Sequence, residues 1–591
     1  MKHESPLVKF LVWRIKHISN KNFVLILSGV IGLISGIAAV SLKETVHFIQ
    51  HQLTGHFNKQ DENYYYIGFP LIGLLLTVGL TNYFIKEKMG HGITQILYDI
   101  SKNSALIKRT KMFSRMITSA ITVGFGGSVG LEAPIVVTGS AIGSNVGRFM
   151  HMNAKKRSLL IGCGAAGAVS AIFNSPVAGV IFSMEVILAD VTIAMFIPLL
   201  IASVSGTLVS ITLLGDDVLF SFKLVDSFKA SDTPYYILLG VISGLVSVYF
   251  TRVTYKVEAL IKRVKNYFGR ALVGGVLLGV IIFLFPPIYG EGYNTIKLLL
   301  AGKELEILDT SLFFSEIDNV IAIFLFILGV ILIKPVASAL TIGSGGSGGI
   351  FAPSLFLGGV TGYLFAAILN VITWGNISTS NFTLVGMCGV MSGVLHAPLT
   401  AIFLIAEITS GYELFVPLML VSAISFSTSS FFEKYSLYTK HLIESGDLIQ
   451  YDKDRQVLSL IDLNKIIEKD LLKIDPHATL GELVNLVRIS KRNIFPVVNE
   501  KQELLGVVTL DDIRNIMFDQ DKQKSTIVKT YMHSPPAYIS SHENMQSVMR
   551  KFELSGAWNL PVIDNGKYVG FLSKSRIFNT YRKKLIRHNQ E

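Results

Sequence analysis

The sequence predicts a mainly α, polytopic membrane protein with two homologous halves and broken helices, followed by a small water-soluble α/β tail. Three observations carry this. Half of the 591 residues are hydrophobic and only 16% are charged, where a soluble chain carries about 25%; the mean hydropathy is +0.51. The charge is unevenly placed. Of the 53 basic and 42 acidic residues, 41 fall in the last 151 positions, about 27% of that stretch against about 12% of the rest. Finally, a Gly-rich nonapeptide occurs twice in the apolar part, once in each half.

The elements follow in order. Residues 1–22 hold five Lys or Arg and one acid, and the apolar run then starts at Phe23. That run is too long for a signal-peptide core and shows no clear cleavage site. It reads as a first membrane helix with a cytoplasmic N-terminus, following the excess of basic residues on that side. Further apolar segments are Phe23–Val46, Tyr66–Phe84, Met116–Phe125, Leu159–Leu188, Val191–Leu214, Tyr235–Phe250, Ala271–Phe285, Val320–Ile333, Leu355–Ile372, Leu384–Ile408 and Leu414–Phe431. Several are shorter than the ~20 residues a helix needs to cross a bilayer. Others are broken by Gly or Pro, and Val320–Ile333 is expected to stop at Lys334-Pro335. Backbone that breaks at membrane depth is tolerated only inside protein or beside a water-filled path. Broken segments that recur in corresponding places point to a transporter or channel.

The repeat is explicit. GGSVGLEAP (126–134) and GGSGGIFAP (345–353) share six of nine positions at an offset of 219. FNSPVAGVIFSMEV (173–186) parallels LHAPLTAIFLIAEI (395–408), pairing Pro176 with Pro398 and Glu185 with Glu407 at an offset of 222. The membrane body is taken as 23–440, with halves of about 23–215 and 235–435.

A Gly-rich turn that opens into a helix presents N–H groups with no internal partner and the positive end of the helix dipole. Two such starts aimed at one place make an anion site without a buried Lys or Arg. Glu132 stands where the second copy has Phe351. A carboxylate at membrane depth is costly and marks function. At a helix start it would compete with a transported anion and leave when protonated.

These residues carry a resemblance. GGSVGLEAP (126–134), GSGGSGGIFAP (343–353), LHAPLTAIFLIAEIT (395–409) and YSLYTK (435–440) resemble the motifs of the CLC chloride channels and anion/proton exchangers. GHGIT (90–94) is similar to that family's first anion-binding motif, with His91 where Ser is usual and Thr94 where Pro is usual. The resemblance implies inverted halves and a homodimer with a pore in each subunit. It implies that Glu132 is the gating glutamate, that Ile350 and Phe351 offer backbone N–H groups to the central anion, and that the Tyr438 hydroxyl closes the inner end. His91 would line the path. Exchangers commonly carry a second glutamate at the place of Val186. Valine carries no proton, so channel-like conduction of chloride or a related small anion is expected, with proton-coupled exchange as the alternative.

The tail, 446–591, has its own repeat. IFPVVNEKQELLGVVTLDDIRNIM (494–517) parallels NLPVIDNGKYVGFLSKSRIFNTY (559–581), each reading strand, turn, strand, helix. The order argues a small α/β module. It resembles a pair of cystathionine-β-synthase-type (CBS) domains, about 474–520 and 533–585, on the cytoplasmic side. Such pairs often bind adenine nucleotides through a small hydroxyl residue and an Asp three positions on. The first copy has Thr509 and Asp512. The second has Ser573 and Arg576, without the carboxylate. No cofactor is required.

Other classes fit less well. No H-E-x-x-H zinc motif is present, and no Ser/His pair brackets the Gly-rich loops, so an enzyme is not expected. A CBS-regulated cation transporter would need several carboxylates along its path, and the body offers Glu132, Glu185 and Glu407. The net charge of +11 is scattered over loops, which argues against nucleic acid. Cys163 and Cys388 lie in apolar runs and are expected as buried free thiols.

Overall fold

A computed structural model describes residues 6–54, 65–86, 92–188, 192–215, 228–307, 320–373, 377–409, 411–444, 458 and 461–590. The chain folds as two units, 1–448 and 449–591. The first half of the membrane unit holds α1 (Pro6–His17), α2 (Asn20–Thr54), α3 (Tyr65–Leu80), α4 (Gly92–Lys102), α5 (Ser114–Gly124), α6 (Glu132–Phe149), α7 (Ala154–Phe173), α8 (Pro176–Phe182) and α9 (Ile193–Leu214). The second half holds α10 (Thr233–Ile261), α11 (Tyr267–Leu284), α12 (Tyr293–Leu300), α13 (Val320–Gly343), α14 (Phe351–Thr373), α15 (Thr379–Leu395), α16 (Pro398–Ile408), α17 (Phe415–Phe432) and α18 (Lys440–Glu444). Among the described residues nine helices are long and apolar enough to cross a membrane. Large apolar side chains such as Ile197, Leu208 and Leu325 are exposed on them, as lipid-facing positions require.

Two apolar segments break where the repeat predicts a break. Residues 159–188 divide at Asn174–Ser175, and 384–408 at His396–Ala397. Asn174 and His396 are equivalent at the offset of 222, and both take φ of 55°, a left-handed cap that ends a helix. Pro176 and Pro398 then open the next one, where a missing N–H costs nothing. One expectation fails. The run at Val320 does not stop at Lys334-Pro335, because α13 continues through Pro335 to Gly343. Proline removes one backbone bond and usually kinks a helix, but Lys334 turns its ammonium into the protein rather than ending the helix.

The halves are related by a two-fold axis, which their hydrogen bonds spell out. Gly130 N–H donates to Gly349 O at 2.9 Å, and Gly349 N–H to Gly130 O at 2.8 Å. Ser128 N–H donates to Thr341 Oγ1 at 3.2 Å, and Ser347 N–H to Thr122 Oγ1 at 3.1 Å. Glu407 accepts from the Val177 and Ala178 N–H groups at 3.0 and 2.8 Å. Glu185 accepts from the Leu399 and Thr400 N–H groups at 3.3 and 2.8 Å. Each of these two glutamates lies at the C-terminal end of its own short helix, Glu407 in the last turn of α16 and Glu185 just beyond α8, and caps the start of the other's. So α8, prolonged by a wide turn to Ile187, and α16 run antiparallel. A two-fold that exchanges antiparallel helices lies across them. For helices that run through a bilayer, that axis lies in the membrane plane and the halves are inverted.

Small residues bring the helices close. A Cβ on Gly139 would sit 2.2 Å from Gly164 O, and one on Gly164 1.9 Å from Gly139 O. The equivalent crossing in the second half, Gly358 on Gly386, leaves 2.3 and 2.4 Å. Packing of small residues drives helix association where the solvent is as apolar as the side chains.

The Glu185 and Glu407 caps permit a direct test. A Gln has one acceptor oxygen and turns an N–H-bearing nitrogen toward the second helix N–H. Glu407→Gln is therefore expected to cost about 1–3 kcal/mol, read as a lower thermal unfolding temperature of the purified protein. Glu185→Gln should cost a similar amount, and the double variant about the sum, since the two caps share no partner. A double variant no worse than either single one would show that the caps are not independent struts.

In the tail, β1 (Ile494–Val498) and β2 (Leu504–Thr509) pair antiparallel, while β3 (Ile539–Ser540), β4 (Asn559–Asp564) and β5 (Lys567–Ser573) form a second sheet with order β3-β4-β5. The amphipathic helices Leu480–Ile489 and Met545–Ser555 precede the strand pairs. The copies exchange their leading segments. Glu468, ahead of the first copy, bridges Phe571 of the second, and His533, ahead of the second, bridges Val507 of the first. Leu471, Val498, Val507, Tyr568 and Phe571 form the apolar cluster between them.

Candidate functional site

The site forms where the two Gly-rich turns meet. Gly126 and Gly345, equivalent at the offset of 219, have φ of +90° and +99°, so each turn needs glycine there. The turns lead into α6 and α14, whose starts are joined by the Gly130–Gly349 bridge. Glu132 is the first residue of α6 and is 2% exposed. Its Oε1 accepts from Tyr293 Oη–H at 2.7 Å. A Cβ on Gly130 would lie 1.9 Å from Oε2 and 2.8 Å from the Ala352 side chain. The carboxylate thus fills the seam between the two helix starts, and only glycine at 130 leaves room for it. Among the described residues Oε2 has no partner in hydrogen-bonding geometry, although the N–H groups of Glu132 and Ala352 are near enough to act on the carboxylate.

Ile350 and Phe351 are both buried, at 0% and 1% exposure, Ile350 just before α14 and Phe351 its first residue. N–H groups of a first helical turn have no partner within their own helix. The Phe351 ring stacks on Phe173 with centroids 5.3 Å apart and meets Phe182 edge-on at 6.2 Å. It joins an aromatic cluster, whereas its repeat mate Glu132 sets a carboxylate between the helix starts. The N–H that acts on Glu132 belongs to Ala352, one residue beyond the pair singled out from sequence.

Tyr438 is 2% exposed, and its buried hydroxyl has no hydrogen-bond partner among the described residues. It lies within electrostatic reach of Glu132. Its carbonyl accepts from Thr94 Oγ1 at 2.9 Å, and the preceding carbonyl of Leu437 accepts from the Tyr255 hydroxyl at 3.1 Å. The departure from Pro at 94 therefore has a structural role, tying α4 to the tyrosine. His91 lies outside the described residues. Val186 is half-buried and packs on the apolar core, while the adjacent Glu185 is held by the start of α16 and the Thr400 hydroxyl.

Three residues of the site were not singled out from sequence. Glu291 comes from the turn before α12 and Tyr293 is the first residue of that helix, and Glu291 Oε1 accepts from Leu131 N–H at 3.2 Å. Lys334, wholly buried, donates to Ser128 Oγ at 2.9 Å, Gly290 O at 3.2 Å and Ile288 O at 3.3 Å, and its ammonium lies 4.7 Å from the centre of the Phe356 ring. The repeat held a signal for it. Lys334 and Arg115 are equivalent at the offset of 219 and are the two basic residues that precede the Gly-rich turns; Arg115 is also buried.

In the tail, Asp512 Oδ2 accepts from Thr509 N–H and Oγ1–H, both at 2.7 Å, and lies 3.1 Å from His533 Nε2. This leaves Oδ1 as its open oxygen. The carboxylate missing from the second copy is replaced from outside its motif. Ser573 Oγ–H donates to Glu468 Oε1 at 2.7 Å, and Arg492 holds the other oxygen. A carboxylate so engaged at both oxygens braces the two copies together.

Residues 73–430 match the family model described as voltage gated chloride channel, and 463–519 and 528–583 match that of the CBS domain. The chain is 27% identical to chloride channel protein CLC-f of Arabidopsis thaliana over 491 residues, 73% of this chain and 61% of that protein. It therefore spans about three fifths of that relative's length. It is 26% identical to the H(+)/Cl(-) exchange transporter ClcA of Vibrio cholerae serotype O1 over 419 residues, 68% of this chain and 84% of ClcA. The solved structure of a slow cyanobacterial Cl-/H+ antiporter superimposes with a TM-score of 0.62 at 22% identity, covering 73% of this chain and 99% of that one, a likeness of fold. With a family model that spans most of the membrane unit and a CBS pair behind it, the chain belongs to the voltage gated chloride channel (CLC) family of anion transport proteins.

Proposed function

We propose that the chain conducts chloride or a related small anion passively through a path in each subunit of a homodimer, with Glu132 as the gate. One observation carries this reading: the Glu132 carboxylate fills the seam between two facing helix starts, where a small anion would find the same N–H groups. Ile350 and Phe351 supply further N–H groups, the Tyr438 hydroxyl closes the inner end, and His91 lines the path. Both termini face the cytoplasm. The absence of an inner proton carrier at Val186 favours a channel. Similarity to ClcA, an H(+)/Cl(-) exchange transporter, keeps proton-coupled exchange as the second reading.

The test is a single flux assay on the protein in liposomes, recording anion and proton movement together under an anion gradient. Anion flux without uphill proton movement is expected, and proton pumping driven by the anion gradient would replace the channel with an exchanger. The same vesicles test two subsidiary assignments. His91→Ser should change the ratio of chloride to nitrate to fluoride flux. Adenine nucleotide on the tail side should alter flux in wild type but not in Asp512→Ala, because Thr509 and Asp512 would hold the ribose.

A further inference from the structure

The turn Tyr289-Gly290-Glu291-Gly292-Tyr293 belongs to the second half but is stitched onto the first Gly-rich turn. Gly290 and Gly292 have φ of +60° and +87°, so the chain can reverse on both sides of Glu291. Gly290 N–H donates to Gly126 O at 3.3 Å, and the Tyr289 hydroxyl to Gly124 O at the same distance. A Cβ on Gly126 would lie 2.2 Å from the Tyr289 ring. The turn therefore lies directly on the entrance to α6.

From there it reaches the gate twice. Tyr293 holds Glu132 Oε1 at 2.7 Å, while Glu291 takes the N–H of Leu131, the residue before Glu132, at 3.2 Å. Glu132 is sealed from solvent, but Glu291 is only half-buried. The charged and titratable groups facing Glu291 are Glu132 on α6, Tyr293 on α12, Lys43 on α2 and Lys334 on α13. Lys43 has Glu44, His47 and Lys297 around it in turn.

We propose that Glu291 is a second protonatable carboxylate of the gate, which takes up a proton from the solvent side and sets, through its charge beside Glu132, the pH at which Glu132 leaves the anion path. The proposal rests on the gate reading above. The physical reason is direct. Two carboxylates on one helix start oppose each other's ionisation, and two lysines favour it. Protonation of Glu291 removes the like charge beside Glu132, so Glu132 stays ionised, and blocking, to lower pH. The path then responds to two protons rather than one.

The experiment is anion flux from liposomes as a function of pH on the Glu291 side, for wild type, E291Q, E291D, E132Q and E132Q/E291Q. Gln at 291 can still accept the Leu131 N–H, so it removes charge while keeping the scaffold. E291Q is expected to move the pH of half-maximal flux to the acid side by about one unit, the effect of a like charge a few ångströms away. E291D retracts the charge by one methylene and should move it the same way by less, which also serves if E291Q fails to fold. The double variant should match E132Q. An E132Q variant with the wild-type pH profile would overturn the gate reading. A flat E132Q profile with E291Q and E291D both at the wild-type midpoint would overturn the role of Glu291 alone and leave the gate intact.

Discussion

Replacing Glu132 with Gln is expected to raise anion flux at neutral pH by about tenfold or more, the equivalent of a gate held shut by at least ~1.4 kcal/mol. It should also leave flux flat from about pH 4 to about pH 9, the range over which differently placed carboxyl groups titrate. The reasoning starts from the seam. Oε2 of Glu132 lies 1.9 Å from where a Cβ on Gly130 would lie, and the N–H groups of Glu132 and Ala352 act on the carboxylate. An ionised carboxylate is favoured there by the helix starts, and nothing else fits while it stays. Gln keeps the shape and the Tyr293 bond, since its carbonyl oxygen can accept the hydroxyl, but it carries no charge for the helix starts to hold. A wild-type pH profile in E132Q, measured in liposomes, would show that another group gates the path. Unaltered flux at neutral pH would show that the seam is not on the path.

The repeat made most of the architecture legible from sequence. Six matched positions in nine located both Gly-rich turns, and the Pro176–Pro398 pair located the breaks before α8 and α16. Equal Glu185 and Glu407 positions became legible as function only in three dimensions, where each caps the other half's helix. Sequence cannot express that exchange, because the partners lie more than 200 residues away. The extension of α13 through Pro335 was misjudged for a related reason. A proline is a local signal, while the ammonium of Lys334 finds its acceptors in Ser128, Ile288 and Gly290, two turns from other parts of the chain.

The gate was half legible. Glu132 announced itself as a carboxylate in an apolar repeat whose mate is Phe351. Tyr293 and Glu291 did not, because they come from outside the repeat motifs and reach Glu132 only through the reversal at Gly290 and Gly292. The signal available was a carboxylate between two glycines in an otherwise apolar neighbourhood. In the tail, Asp512 was read from its spacing to Thr509, while Glu468 stands over 100 residues from the Ser573 it serves. Spacing rules find residues on one turn and miss those delivered by a neighbouring segment.

Lys334→Met is expected to move the pH of half-maximal flux to the acid side, in the same direction as Glu291→Gln but by less, and to lower flux several-fold at the optimum. Lys334 is wholly buried and bonded to Ser128, Ile288 and Gly290, so its charge acts on Glu291 with little screening by water. Removing that charge makes Glu291 easier to protonate, which takes a like charge from beside Glu132, so Glu132 holds the seam to lower pH. It also removes positive potential that favours an anion near the two helix starts. Stability should respond less. The loss of a donor leaves Gly290 O unpaired, at about 1–3 kcal/mol, but Met no longer carries a charge into the interior, which offsets part of that cost. Ser128 still donates to Ile288 O at 2.8 Å, so one strut of the turn survives. The variant is therefore expected to fold with a modestly lower unfolding temperature while its pH profile moves. In K334M/E291Q the lysine change should add nothing to the midpoint of E291Q, because Glu291, the carboxylate through which its charge acts, is already uncharged. A K334M protein with a lowered unfolding temperature and an unchanged pH profile would reduce Lys334 to a brace between the turns, with no part in setting the gate.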